Sequence, residues 1–161
     1  MANGGSHDCV WLDLGRAAIL SEFSELLQNL REILQVVLVN QCVQLAYLFG
    51  SMVNGTATPM SDVDIGLLLE PGALAEFGIN GCLLLEIELM LALENEAGVL
   101  NPDVRVMNDL PLWAHCGMVK NGCVLYCSDE ARRIEYEVGI LRACLFRNVF
   151  AKHVRQCCRA G

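Results

Sequence analysis

The sequence contains no apolar run approaching the roughly 18 residues that span a bilayer. Its greasiest stretch, Gly81 to Leu93, is interrupted by Glu86 and Glu88, and Glu94 closes it, so no membrane segment is expected. The first eight residues, Met1 to Asp8, lack the positive patch and apolar centre of an export signal, which points to a cytoplasmic location. Basic residues are scarce: 11 Lys plus Arg stand against 19 Asp plus Glu, a net charge of −8. That field repels a phosphate backbone, so no direct nucleic-acid partner is expected. A polyanionic ligand would have to arrive with metal ions or meet a local cluster of backbone donors. Internal repeats and low-complexity tracts are also lacking, which removes the solenoid and linker readings.

What is present suffices for a core. With 161 residues, 54% of them hydrophobic and 19% charged, the chain reads as a single domain over 1–161. Nine cysteines are an odd number scattered among apolar neighbours, so reduced, buried thiols are expected. His115, Cys116, Cys123 and Cys127 offer ligand types that zinc accepts, but their spacing matches no common zinc module. His115 is read as a satisfied histidine on a helix.

Apolar residues recur at helical spacing from Arg16 to Leu38 (Ile19, Phe23, Leu26, Leu30, Ile33, Val37), which predicts a long amphipathic helix over about 16–38. Short apolar runs over 44–49 and 62–69, bounded by Gly50-Ser51, Pro59-Met60-Ser61 and Pro71-Gly72, predict two strands. The link between them is about a dozen residues, the lower limit for a parallel crossover, so antiparallel neighbours are expected. A helix follows over 74–97, split by Gly78 and Gly81 and stopped by Gly98. Then come a strand over 104–107, a helix opened by Pro111, a turn at Asn121-Gly122 and a strand over 123–126. A final helix over about 129–153 is opened by Ser128-Asp129-Glu130. Its stripe of Ile134, Val138, Leu141 and Leu145 is assigned to the core, and Lys152, His153, Arg155 and Arg159 to a solvated end. The fold class is α/β (α+β): a small mixed β-sheet flanked by helices, with a central catalytic core over about 44–126.

The chemistry concentrates between Leu48 and Ile65. Gly-Ser after a strand is ordinarily a turn, and an Asp-x-Asp pair ordinarily a solvated surface. Together they mean more. Asp62 and Asp64 lie two apart on a predicted strand, so their carboxylates project from one face, where they repel each other unless a divalent cation sits between the oxygens. Mg²⁺ suits such a set. Gly50 allows a close backbone turn, and a short helix starting near Met52, with the Ser51 hydroxyl, would form an anion cradle. Asp103, at the entrance of the third strand, is the third carboxylate of a two-metal arrangement, though spacing alone reads it equally as a turn acid after Pro102. Asp109 is read as a helix cap.

The combination Gly50-Ser51, Asp62-x-Asp64 and a later strand Asp103 resembles the minimal nucleotidyltransferases of the DNA polymerase β superfamily. It is most similar to the MntA-like antitoxins encoded beside HEPN-domain toxins. The likeness takes in Gly55 to Ser61, Val106 to Pro111 and Asn121 to Tyr126, over roughly Leu45 to Glu137. It implies transfer of AMP from ATP to a tyrosine of a cognate HEPN toxin, in a homo- or hetero-oligomer, thereby silencing the toxin. It also implies two Mg²⁺ held by Asp62, Asp64 and Asp103, with Gly50, Ser51, Asn54 and Ser61 against the nucleotide. Asn54 is a departure, since many relatives carry Arg there. Lys120, Arg105 or a basic group of the partner is left to supply that charge. Two other readings stand beside this one: an antitoxin that only masks its toxin, and a nucleotidyltransferase for a small hydroxylated substrate such as an aminoglycoside.

Overall fold

A computed structural model describes the backbone of residues 8–58 and 60–159, and side chains over 21–58 and 60–147. Four strands, β1 (Val43–Phe49), β2 (Val63–Leu69), β3 (Pro102–Val106) and β4 (Cys123–Cys127), form one sheet in the order β3-β2-β1-β4. β1 runs antiparallel to both β2 and β4, and β2 parallel to β3. The mixed sheet and the antiparallel first pair are as expected. β2 needs no long crossover to meet β1, because only a four-residue helix, α2 (Ser51–Asn54), and a loop separate them. The parallel β2–β3 pair is joined by the long helix α3 (Ala73–Ala97), as parallel geometry requires.

Alternation along β2 sorts its side chains between two layers. Val63, Ile65, Leu67 and Leu69 join Leu30, Leu34 and Leu38 of α1 (Asp8–Leu38) and Leu85, Leu89 and Leu93 of α3 in the main core. The opposite face carries a smaller cluster of Leu45, Tyr47, Leu68, Met107 and Met118, covered by α4 (Leu112–Asn121) and by Tyr136 of α5 (Glu130–Arg159). Asp64 points to this second face, since it alternates with Val63 and Ile65.

Several boundaries differ from the sequence reading. The first helix begins eight residues earlier than its periodicity indicated. β2 starts at Val63, leaving Asp62 just ahead of it. α3 breaks at Gly78, which has φ 59° and ψ −177°, but runs through Gly81, and Gly98 ends it in the left-handed conformation. Asp109 caps nothing: Pro111 occupies the N-cap of α4 and the preceding turn closes by Leu110 N–H to Met107 O at 3.0 Å. Asp129 does cap α5, its Oδ1 accepting from Ala131 N–H at 2.8 Å and Arg132 N–H at 3.2 Å.

Two further expectations are overturned. Cys116 and Cys144 form a disulfide that joins α4 to α5, with Cα atoms 6.3 Å apart, whereas Cys42, Cys82, Cys123 and Cys127 are free. The α5 stripe is mostly not core: Ile134, Val138 and Leu145 are exposed, and Leu141 alone of the four is half-buried. The inward side of α5 instead carries buried Cys144 with half-buried Arg133, Tyr136, Glu137, Ile140 and Leu141, a mixed face on which polar partners help decide which side docks. Tyr47 is buried and its hydroxyl donates to Glu137 Oε1 at 2.7 Å, while Arg133 Nη1 donates to the same oxygen at 2.8 Å. His115 is satisfied as expected, bonding Tyr136 Oη at 2.7 Å and Leu110 O at 3.0 Å. Lys152, His153, Arg155 and Arg159 lie outside the described side chains.

Leu89, fully buried in the main core, tests the layer assignment. Leu89→Ala is expected to lower unfolding free energy by about 3 kcal/mol in urea titrations, against a few tenths for Leu91→Ala on the exposed side.

Candidate active site

The site is built where β1 ends. Gly50 follows Phe49 with φ 75° and ψ −151°, a backbone that side-chain-bearing residues rarely adopt. A Cβ placed on it would lie 2.0 Å from Asp64 Oδ2. Position 50 thus has two reasons to be glycine, and the second fixes the Asp64 carboxylate against the turn that opens α2. The register agrees: Asp64 is paired with Phe49 on one side and with Asp103 on the other. Paired residues of adjacent strands project from the same face, so Asp103 joins Asp64 on the second layer's side.

Electrostatics records the convergence. Burial pushes the Asp64 carboxyl above the ordinary carboxylate range, and the charges of Asp103 and Asp62 push it further. Asp103 is held by Arg105, whose Nε donates to its Oδ1 at 2.7 Å. Among the described residues no three His, Cys, Asp or Glu side chains are drawn together as a cation site, so the acids are neighbours through charge rather than a closed ligand cage. This covers His115, Cys116, Cys123 and Cys127 as well, and Cys116 is committed to its disulfide.

Ser51 and Asn54 begin and end α2, and Gly55 closes it in the left-handed conformation with its N–H on Ser51 O. So short a helix leaves the N–H groups of its first turn without intrahelical partners. Ser61 shapes the loop instead: its Oγ accepts Thr58 N–H at 2.8 Å and lies 3.1 Å from Thr58 Oγ1. Beside Gly50 opens a cavity of about 630 Å³, bordered by Val53 and Asn54 of α2, Arg105 of β3, and Trp113 and Asn121 of α4. Its floor is apolar, formed by Phe49, Met107 and Met118 closing over Gly66. Trp113 had no periodic signal to mark it, because its role depends on how α4 lies over the sheet.

Residues 28–131 match the family described as Polymerase beta, Nucleotidyltransferase. The chain belongs to this family. No sequence among the curated proteins matches it. In fold, this nucleotidyltransferase domain is similar to a chain of a toxin–antitoxin structure with AMP-PNP, at 18% identity and TM-score 0.57, covering 81% of this chain and 95% of that one. It is similar to a chain of the MntA-HepT toxin–antitoxin structure, at 16% identity and TM-score 0.54, covering 83% and 96%. A third likeness is to a structure of the tri-AMPylated Shewanella oneidensis HEPN toxin with its MNT antitoxin, at 18% identity and TM-score 0.54, covering 80% and 94%. No helix among the described residues is long and apolar enough to cross a membrane.

Two measurements test the geometry without any assay of activity. Gly50 and Gly55 share a positive φ, but only Gly50 has an atom in the way of a Cβ. Gly55→Ala is expected to cost about 1 kcal/mol of backbone strain, and Gly50→Ala distinctly more, in denaturant unfolding. Asp64 gives the second. Its pKa is raised on folding, so above the ordinary carboxylate range the folded state carries a charge it disfavours, and stability falls as pH rises through the raised value. Asp64→Asn should therefore raise the melting temperature at neutral pH, with the gain vanishing below the ordinary Asp range.

Proposed function

We propose that this nucleotidyltransferase is an antitoxin that transfers AMP from ATP to a tyrosine hydroxyl of a cognate HEPN-domain toxin. The observation that carries the reading is the position of Asp64, pressed onto Gly50 and paired with Asp103 across β2 and β3. Support for the partner comes from the toxin–antitoxin complexes that share the fold, and support for the nucleotide from the relative with AMP-PNP.

The donor chemistry fits Mg²⁺. Three carboxylates, of which Asp64 is raised by burial and then by the charges of Asp103 and Asp62, offer hard, anionic oxygens, the ligand type this ion takes. Asp62, Asp64 and Asp103 would hold it, and bound there it supplies neutralisation of phosphate charge. The rest falls to the chain. Gly50 and Ser51 bind the triphosphate at the turn into α2, with Asn54 and Ser61 nearby. The toxin's hydroxyl oxygen forms a bond to the α-phosphorus in line with the departing oxygen. The bond from α-phosphorus to the bridging oxygen breaks, pyrophosphate leaves with the electron pair, and the hydroxyl proton passes to Asp103. Most of the acceleration is positioning, for which a small rigid sheet suffices.

A second reading, inhibition by binding alone, is favoured by the exposed apolar row of Ile134, Val138 and Leu145 on α5. Incubating the purified chain and toxin with ATP and Mg²⁺, then weighing the intact toxin, separates the two. Transfer adds whole AMP masses, and Asp62→Ala or Asp64→Ala should reduce it at least about a hundredfold. Unchanged toxin mass with retained inhibition would establish masking instead.

A further inference from the structure

The cavity beside Gly50 has one cationic side chain among its described lining residues, Arg105. Its position in the sheet is set by register: Arg105 pairs with Gly66, next to the Asp64–Asp103 pair and on the same face. Its Nε is spent on Asp103 Oδ1, whereas Nη1 and Nη2 take no hydrogen-bond partner among the described residues. The side chain is 67% exposed and lines the cavity. The remaining charge on the cavity wall is Glu86, whose Oε1 accepts Val106 N–H at 2.7 Å. A guanidinium carries five N–H donors in a rigid fork, and planar geometry lets it serve a carboxylate on one edge and a phosphate on another. α2, which also lines the cavity, ends in Asn54 with no basic residue in its last turn.

We infer that Arg105 is the residue that grips the polyphosphate of the nucleotide in this cavity, donating from Nη1 and Nη2 to phosphate oxygens while Nε keeps Asp103 in place. The inference rests on the proposed nucleotidyl transfer and assigns a residue to it. It also accounts for how a chain of net charge −8 accepts a polyanion, since a charge-assisted pair at one fixed point replaces the missing general attraction.

Calorimetric titration of the full chain with ATP and with inorganic tripolyphosphate, each with Mg²⁺ and again with EDTA, tests this. Arg105→Ala should weaken both ligands about tenfold or more in both buffers, with Arg105→Lys recovering part of the loss. Arg142→Ala, which removes an exposed charge on α5, should stay within about twofold of the parent. A loss confined to the Mg²⁺ buffer would mean that Arg105 acts only by orienting Asp103, and would overturn the contact. Undiminished tripolyphosphate affinity in Arg105→Ala would overturn it as well. If toxin AMPylation proceeds in Arg105→Ala with the parent's KM for ATP, this inference fails and the proposed function stands. If the parent binds neither ligand, both fail.

Discussion

The contact between the Asp64 carboxylate and the bare Cα of Gly50 organises the candidate site. It requires that β1 stop at Phe49, that the next residue take a positive φ, and that β2 pass close enough for Oδ2 to occupy the space of a missing Cβ. Those conditions in turn fix the start of α2 and the register that sets Phe49 and Asp103 on either side of Asp64. A slip of one residue in β2 would send Asp64 into the leucine-rich main core and bring Val63 to the turn. The hydrophobic alternation of Val63, Ile65, Leu67 and Leu69 forbids this, so the core holds the register and the register holds the site.

Burying Asp64 next to two other acids works against folding: burial first, then the charges of Asp103 and Asp62, holds its carboxyl above the ordinary range. Arg105 offsets part of it from within, by a pair that is largely exposed and therefore weak in its own right. Its value is geometric. It orients Asp103 along the sheet face and leaves the guanidinium's other edge available. A buried, fully satisfied ion pair at the same place would have been more rigid, and closed to any ligand.

The sequence made legible what local rules govern. Gly-Ser at a strand end, Asp-x-Asp, turn residues at Pro71-Gly72 and Gly98, and the antiparallel β1–β2 pair all follow from spacing and backbone preference. What escaped it depends on long-range packing. The Cys116–Cys144 disulfide pairs residues 28 apart, and nothing local in a scattered set of thiols selects that pair over others. The buried face of α5 escaped for a related reason. Its sequence carries an apolar row and a polar row, and periodicity favours burying the first. The second docks in part, alongside Ile140, Leu141 and Cys144, because Tyr47 presents a hydroxyl from inside the sheet that Glu137 accepts, with Arg133 completing the group. Burial, with Glu137 beside them, raises both Tyr47 and Tyr136, the latter up to about 12, so both remain protonated donors.

That choice has a consequence for surfaces. A helix that docks by a mixed face exposes much of its apolar row, and α5 does so with Ile134, Val138 and Leu145, followed by Phe146. α3 arrives at a similar result from the other direction: it is apolar nearly all round, so burying Leu85, Leu89 and Leu93 still leaves Ile79, Leu83, Ile87 and Leu91 outside. A four-stranded sheet has only two faces, and the helices that cover them here carry more apolar surface than those faces can accept. The excess lies on helices rather than on the sheet edge, where Glu86 caps Val106 N–H of β3. Strand-to-strand association is thus discouraged at that edge while helix-to-helix association is left open.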